Sequence, residues 1–271
     1  MTSGKQARLK RKAQAAPPPV RSKGAPRPRR KASPKVLAAA AVLVALVAAG
    51  VAIAVVVSNG SSSSSGTIPT SGSLVNALPD AAVAERLLKG IPQSGNVLGS
   101  PNAPVTMIEY IDLQCSACRA FETEIMPSII PKYVRTRKVR VEARPIVAIG
   151  PDSARGVTGA LAAGRQNRLF NFAQILYYNQ GPENGGWLTE GEVQDAAASI
   201  PGLDVPAFLQ SKDSSAVNAQ AKRFEDEANA DGVTGTPTLL VGKTGGKLRD
   251  VAPGVVPDVP TLSAALDKAL R

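Results

Sequence analysis

Histidine is absent from the 271-residue chain, and cysteine occurs only twice, at Cys115 and Cys118. A structural zinc site takes about four Cys or His ligands, so two thiols without an imidazole cannot build one. The chain past residue 35 also lacks any surplus of positive charge. The net charge of +11 belongs to residues 1–35, which hold twelve Lys or Arg and no acid. The remainder carries 20 basic and 21 acidic groups, too even a balance to grip a polyanion. Nucleic acid is therefore not an expected partner, and the sequence calls for no metal and no cofactor.

What the chain does have is the stretch Cys115-Ser116-Ala117-Cys118. Two thiols one helical turn apart can open and close a disulfide between themselves. Residues 105–113, rich in β-branched and apolar side chains, predict a strand that ends just before Cys115, and residues 115–135 predict a helix that starts there. A sulfur at a helix start sits near free N–H groups and the positive end of the macrodipole. Both favour the thiolate, so Cys115 is expected to titrate below the ordinary thiol value of about 8.5. Cys118, one turn deeper, is expected to be buried, less reactive and placed to resolve a mixed disulfide on Cys115. An inert staple is the alternative, but so short a loop restrains the unfolded chain little.

Residues 36–57 form an apolar run of 22 positions without a charge. As a helix it would rise about 33 Å, enough for a hydrocarbon core of about 30 Å. The run and the 35 residues before it are longer than a cleaved signal peptide requires, so the reading is an uncleaved anchor. Small residues at Ala52 and Ala54 leave cleavage open. The basic excess before the span puts the N-terminus in the cytosol and everything after residue 57 outside the membrane, where a disulfide can persist. The domain reading is thus a disordered basic tail over 1–35, a transmembrane helix over 36–57, a Ser/Gly-rich linker over 58–79 and a folded domain over 80–271.

Within that domain, Asp80 suits an N-cap for a short helix. The helix after Cys115 should be kinked or divided by Pro127 and Pro131. Residues 139–149 predict a second strand, and about 152–232 a helical block. A strand over 238–241, a hairpin partner over 248–251 and a final helix over 259–270 follow. Phe170, Phe172, Tyr177, Tyr178 and Trp187 in the helical block read as core. The charges within residues 119–144 read as a solvated face. Glu109 alternates with Met107 and Ile111 and so is expected to face apolar neighbours. The order gives an α/β layout, a mixed central sheet with helices on both faces and a helical insertion of about 80 residues.

The run 109–121, Glu-Tyr-Ile-Asp-Leu-Gln-Cys-Ser-Ala-Cys-Arg-Ala-Phe, followed much later by Gly235-Thr236-Pro237, resembles the DsbA-like thioredoxin-fold thiol–disulfide oxidoreductases. It looks most like their membrane-anchored relatives in Gram-positive bacteria, and the lead-in over 95–105 is similar to theirs. The resemblance covers about residues 80–271. It implies that Cys115 is the exposed nucleophile and Cys118 the resolving thiol. It implies that Pro237 is a cis-proline opposite the pair, that Thr236 offers backbone hydrogen bonds to a bound peptide, and that Glu109 is a buried acid serving Cys118. It also implies a function: introducing disulfides into reduced secreted or cell-envelope proteins, with a quinone-linked membrane partner that reoxidises the pair. Strongly oxidising members often carry a His between the cysteines, which this chain lacks, and a reduced form stabilised less has a lower potential. Reductase or isomerase action of the same fold, or a non-catalytic binding or chaperone domain, are the alternatives.

Overall fold

A computed structural model describes residues 68–271. The predicted tail and span, and residues 58–67 of the predicted linker, lie outside these residues. Among the described residues no helix is long and apolar enough to cross a membrane.

Among the described residues six strands form one sheet: β1 (Gln93–Ser94), β2 (Val97–Leu98), β3 (Val105–Ile111), β4 (Val139–Pro145), β5 (Thr238–Lys243) and β6 (Arg249–Asp250). Their order is β1-β2-β4-β3-β5-β6. Only β3 and β4 run parallel; the other pairs are antiparallel, so the sheet is mixed, as expected. All seven residues of β3 are buried, which requires cover on both faces of the sheet. The hairpin of β1 and β2 was not legible, because two-residue strands carry no periodic signal.

The helices are α1 (Ala81–Leu88), a helical stretch α2 over residues 116–134, then α3 (Ser153–Gly164), α4 (Leu169–Tyr178), α5 (Glu190–Ala198), α6 (Val205–Lys212), α7 (Ser215–Ala230) and α8 (Val259–Ala269). Asp80 stands at the N-cap of α1, but its backbone is left-handed and its side chain makes no capping bond. The cap expected from its chemistry is therefore not formed. The two prolines neither break nor divide α2. The turn instead widens to i→i−5 bonding at Phe121–Ile125 and Ile130–Val134, with Met126 N–H on the Phe121 carbonyl and Arg135 N–H on the Ile130 carbonyl. A wider turn accommodates a residue with no N–H to give and a ring that crowds the carbonyl four positions back.

Strand β4 stops at Pro145 rather than Ile149. Proline cannot donate to the ladder, and beyond it the N–H groups of Ala148 and Ile149 turn to the Asp112 carboxylate at 2.7 and 2.8 Å. At the other end of the described chain, Gly72 and Ser73 donate to the carbonyls of Leu203 and Ala198, both at 2.8 Å. This segment lies against the helical block.

Candidate active site

The sheet register builds the site. Tyr110 on β3 stands opposite Thr238 on β5. Thr236 and Pro237, just before β5, therefore come alongside the turn that leaves β3 for Cys115. The Thr236–Pro237 peptide is cis. The Cys115 thiol donates to the Thr236 carbonyl at 3.2 Å, across 121 residues of sequence.

The turn between β3 and α2 is held from several sides. Asp112, fully buried, accepts from the Gln114 N–H at 2.8 Å in addition to Ala148 and Ile149. Gln114, also buried, donates to the Ser153 hydroxyl at 2.9 Å. Gln180 donates to the carbonyls of Leu113 and Cys115 at 2.9 and 3.1 Å. Gly156 of α3 packs so closely that a Cβ there would stand 2.7 Å from the Leu113 Cβ.

Both cysteines are free thiols and both are buried; Cys115, 4% exposed, is covered by the Thr236–Pro237 segment rather than open to solvent as the resemblance implied. Cys115 is the N-cap of α2, and its sulfur accepts the Cys118 N–H at 3.4 Å. The Cys115 thiol is lowered from 9.0 to about 6, first by the hydrogen bond from the Cys118 thiol, then by Thr236 and the Cys118 and Ala117 N–H groups; burial opposes them. Thr236 acts in two ways. Its carbonyl accepts from the Cys115 thiol, whereas its side chain favours the thiolate, the buried hydroxyl having no hydrogen-bond partner among the described residues and so being free to turn to the sulfur. Cys118 is pushed well above an ordinary thiol, first by burial and then by its neighbour Cys115. One sulfur is ready to ionise at neutral pH and the other is not.

Behind the pair lies a buried acid cluster. Glu109 on β3 is 1% exposed, as its alternation predicted. It does not stand alone. Glu122 on α2, four residues after Cys118 and 4% exposed, accepts from the Gln174 amide at 2.6 Å. This corrects the reading of that helix's charges as a uniformly solvated face. Among the described residues no hydrogen-bond donor reaches either Glu109 oxygen or Glu122 Oε1. A proton on one carboxyl, shared with the other, is what satisfies the pair. Burial raises both carboxyls above their ordinary range, and the Glu122 charge raises Glu109 further. The buried Tyr177 phenol donates to the Asp112 carbonyl at 3.2 Å and is raised by burial first and then by the charges of Cys118, Glu122, Glu109 and Asp112.

Beside the pair a cleft of about 350 Å³ runs past Ala117, Thr236, Pro237, Val255 and Val256. Val255 is 67% exposed. The other aromatics follow the core expectation in part: Phe170, Phe172 and Tyr177 are buried, while Tyr178 and Trp187 are only partly so.

Sequence reasoning missed Asp112, Gln114, Glu122, Gln174 and Gln180. Glu122 had a signal: it follows Cys115 and Cys118 at i+7 and i+4, on one helical face. Gln174 had one too, as a polar residue inside the apolar run of α4. The other three hold loops, where pairing depends on the fold.

A family model described as thioredoxin matches residues 93–248, a span that contains Cys115, Cys118, Thr236 and Pro237. The probable disulfide bond formation protein D of Bacillus cereus is 27% identical over 177 residues, covering 64% of this chain and 78% of that protein. Disulfide bond formation protein D of Bacillus subtilis is 24% identical over 164 residues, covering 60% of this chain and 72% of that protein. Among solved structures, oxidised BdbD from Bacillus subtilis aligns with a TM-score of 0.57 and 21% identity, over 66% of this chain and 97% of that one. Wolbachia pipientis alpha-DsbA1 aligns with a TM-score of 0.55 and 22% identity, over 69% and 95%. These two likenesses carry the fold. With the matched domain, the chain belongs to the thioredoxin family and is a DsbA-like thiol–disulfide oxidoreductase.

Proposed function

We propose that the chain works outside the cytoplasm, anchored by residues 36–57, and introduces disulfides into reduced secreted or cell-envelope proteins. The observation that carries this reading is the unequal placement of the two sulfurs: Cys115 caps the head of α2 beside Thr236, whereas Cys118 is wholly buried one turn deeper, which favours a thiolate on the first and a thiol on the second. In the oxidised enzyme a substrate thiolate attacks Cys115. The Cys115–Cys118 bond breaks, a substrate–Cys115 bond forms, and Cys118 leaves with the electron pair. Because Cys118 is a poor thiolate it takes a proton, and the Glu109–Glu122 pair is the proposed source. A second substrate thiolate then attacks the substrate sulfur of the mixed disulfide. Cys115 leaves as the stable thiolate, which drives the step forward. Two electrons have passed from the substrate dithiol to the pair. A quinone-linked membrane partner would take them on.

In this reading Thr236 and Pro237 line the cleft and present backbone to the substrate peptide beside Cys115. Cys115→Ser is expected to abolish oxidation of a reduced peptide, whereas Cys118→Ser leaves substrates trapped as mixed disulfides on Cys115. Normal oxidation by a Cys115→Ala variant would overturn the mechanism. Reductive action of the same site is the second reading, favoured by the absence of His between the cysteines. A reduction potential near about −120 mV supports the oxidant, and one near about −270 mV the reductant.

A further inference from the structure

The segment 179–188, which leaves α4, lies across the start of α2. Besides the two bonds from Gln180, the Asn184 N–H donates to Gln114 Oε1 at 3.2 Å. Gly181 sits against the Trp187 indole, where a Cβ would stand 2.6 Å from the ring. At the head of the helix, the Ser116 N–H and the Ser116 hydroxyl both donate to Glu183 Oε1, each at 2.7 Å. These two donors, the backbone N–H first, hold the Glu183 carboxyl below its ordinary range, so it is ionised at neutral pH.

The positive end of a helix is a limited resource. Its first N–H groups and its dipole act over about one turn. Here two negative groups draw on it, the Cys115 thiolate at the N-cap and the Glu183 carboxylate held by the next residue, Ser116. The Ser116 N–H, one of the first N–H groups at that positive end, is taken by Glu183. A like charge nearby also disfavours ionisation of the thiol. Nothing comparable acts on the oxidised form, in which Cys115 carries no charge.

We propose that Glu183 is a positioning residue that restrains the oxidising strength of the pair, by occupying the head of α2 and so stabilising the reduced, thiolate-bearing form less than the bare helix start would. This rests on the reading of Cys115 as the thiolate-forming sulfur. The equilibrium that reports it is the reaction of the enzyme disulfide with two glutathione thiols. The Cys115–Cys118 bond breaks and one glutathione disulfide forms, with two electrons and two protons passing to the enzyme, whose Cys115 then ionises.

The test is a charge series at an exposed position, Glu183→Gln and Glu183→Lys, in the full chain. Glutamine keeps the acceptor oxygen and the bulk; lysine reverses the charge. The Cys115 midpoint, read from ultraviolet thiolate absorbance, is expected to fall by about half a unit in the Gln variant and further in the Lys variant. The glutathione equilibrium is expected to move about threefold toward reduced enzyme for Gln and more for Lys, with the differences shrinking at high salt. Glu124→Gln, which removes an exposed carboxylate further along the same helix, should leave both readings where they are. A role in loop anchoring alone predicts the same result for Gln and Lys. A flat or inverted series, with wild-type Cys115 acidic, overturns this inference and spares the proposed function. An ordinary thiol at Cys115 in the wild type overturns both.

Discussion

A sulfur that is acidic while buried needs donors, and Cys115 has them in the Cys118 thiol, the Thr236 hydroxyl and the first N–H groups of α2. The acid pair behind it shows the opposite balance. Glu109 and Glu122 sit where neither carboxylate has enough donors, so the site holds on to a proton. The sign of its effect on stability follows. A carboxyl whose folded pKa is raised contributes stability below its unfolded value of 4.5, and that contribution is lost as pH rises through the folded value. Glu109→Gln removes one of the two carboxyls and gives Glu122 an amide donor. It is expected to stabilise the fold by about 1–3 kcal/mol near pH 8, with the gain vanishing near pH 4, as read by urea unfolding at both. The same variant is expected to slow peptide oxidation. A variant less stable at the higher pH would contradict the account of the pair. At this scale the sequence announced Cys115, Cys118, the Thr-Pro and the burial of Glu109. It did not announce Glu122 as the partner of Glu109, because a Glu on a helix reads as solvated until a second element is seen to cover it.

The elements owe their ends and shapes to a few residues. Pro145 closes β4, and Asp112 gathers the N–H groups released beyond it. The widened turns of α2 carry Pro127 and Pro131 through an otherwise continuous helix, and the i, i+4 spacing ahead of them puts Cys118 and Glu122 on one buried face. Contact between α3 and the exit of β3 depends on Gly156. An alanine there would press its methyl group against the Leu113 Cβ, an atom fixed to the backbone of the active-site turn. Gly156→Ala is therefore expected to cost about 1–3 kcal/mol of stability by urea unfolding, despite the better helix propensity of alanine. Unchanged stability would mean that α3 can move away from the turn. Periodicity gave most of these elements within a few residues. It gave neither the short hairpin of β1 and β2 nor the behaviour of the prolines, which depends on how the ladder is relieved.

Across the whole molecule, function rests on bringing together residues far apart in sequence. The antiparallel register of β5 on β3 joins Thr236 to Cys115 across 121 positions. No spacing rule predicts such a contact; the resemblance supplied it in advance, and the sheet order supplies the reason. Charge is also divided at this scale, with the basic excess confined to residues 1–35 and a near-neutral remainder. Anchoring through residues 36–57 predicts that the full chain sediments with membranes and resists extraction by high salt. Deleting residues 1–57 should move it to the soluble fraction with its thiol chemistry intact. Salt extraction of the full chain would argue against an anchor.

The acidity of Cys115 underlies the direction of exchange, the division of roles with Cys118 and the meaning of the neighbouring carboxylates. Its titration in the reduced enzyme, by alkylation rate against pH with Cys118→Ser as a companion, is the most direct measurement. The account predicts a midpoint near 6 for Cys115 in the wild type. It also predicts a higher midpoint in Cys118→Ser, whose hydroxyl is a poorer match for the thiol donor. A wild-type midpoint at the ordinary thiol value of about 8.5 would contradict it.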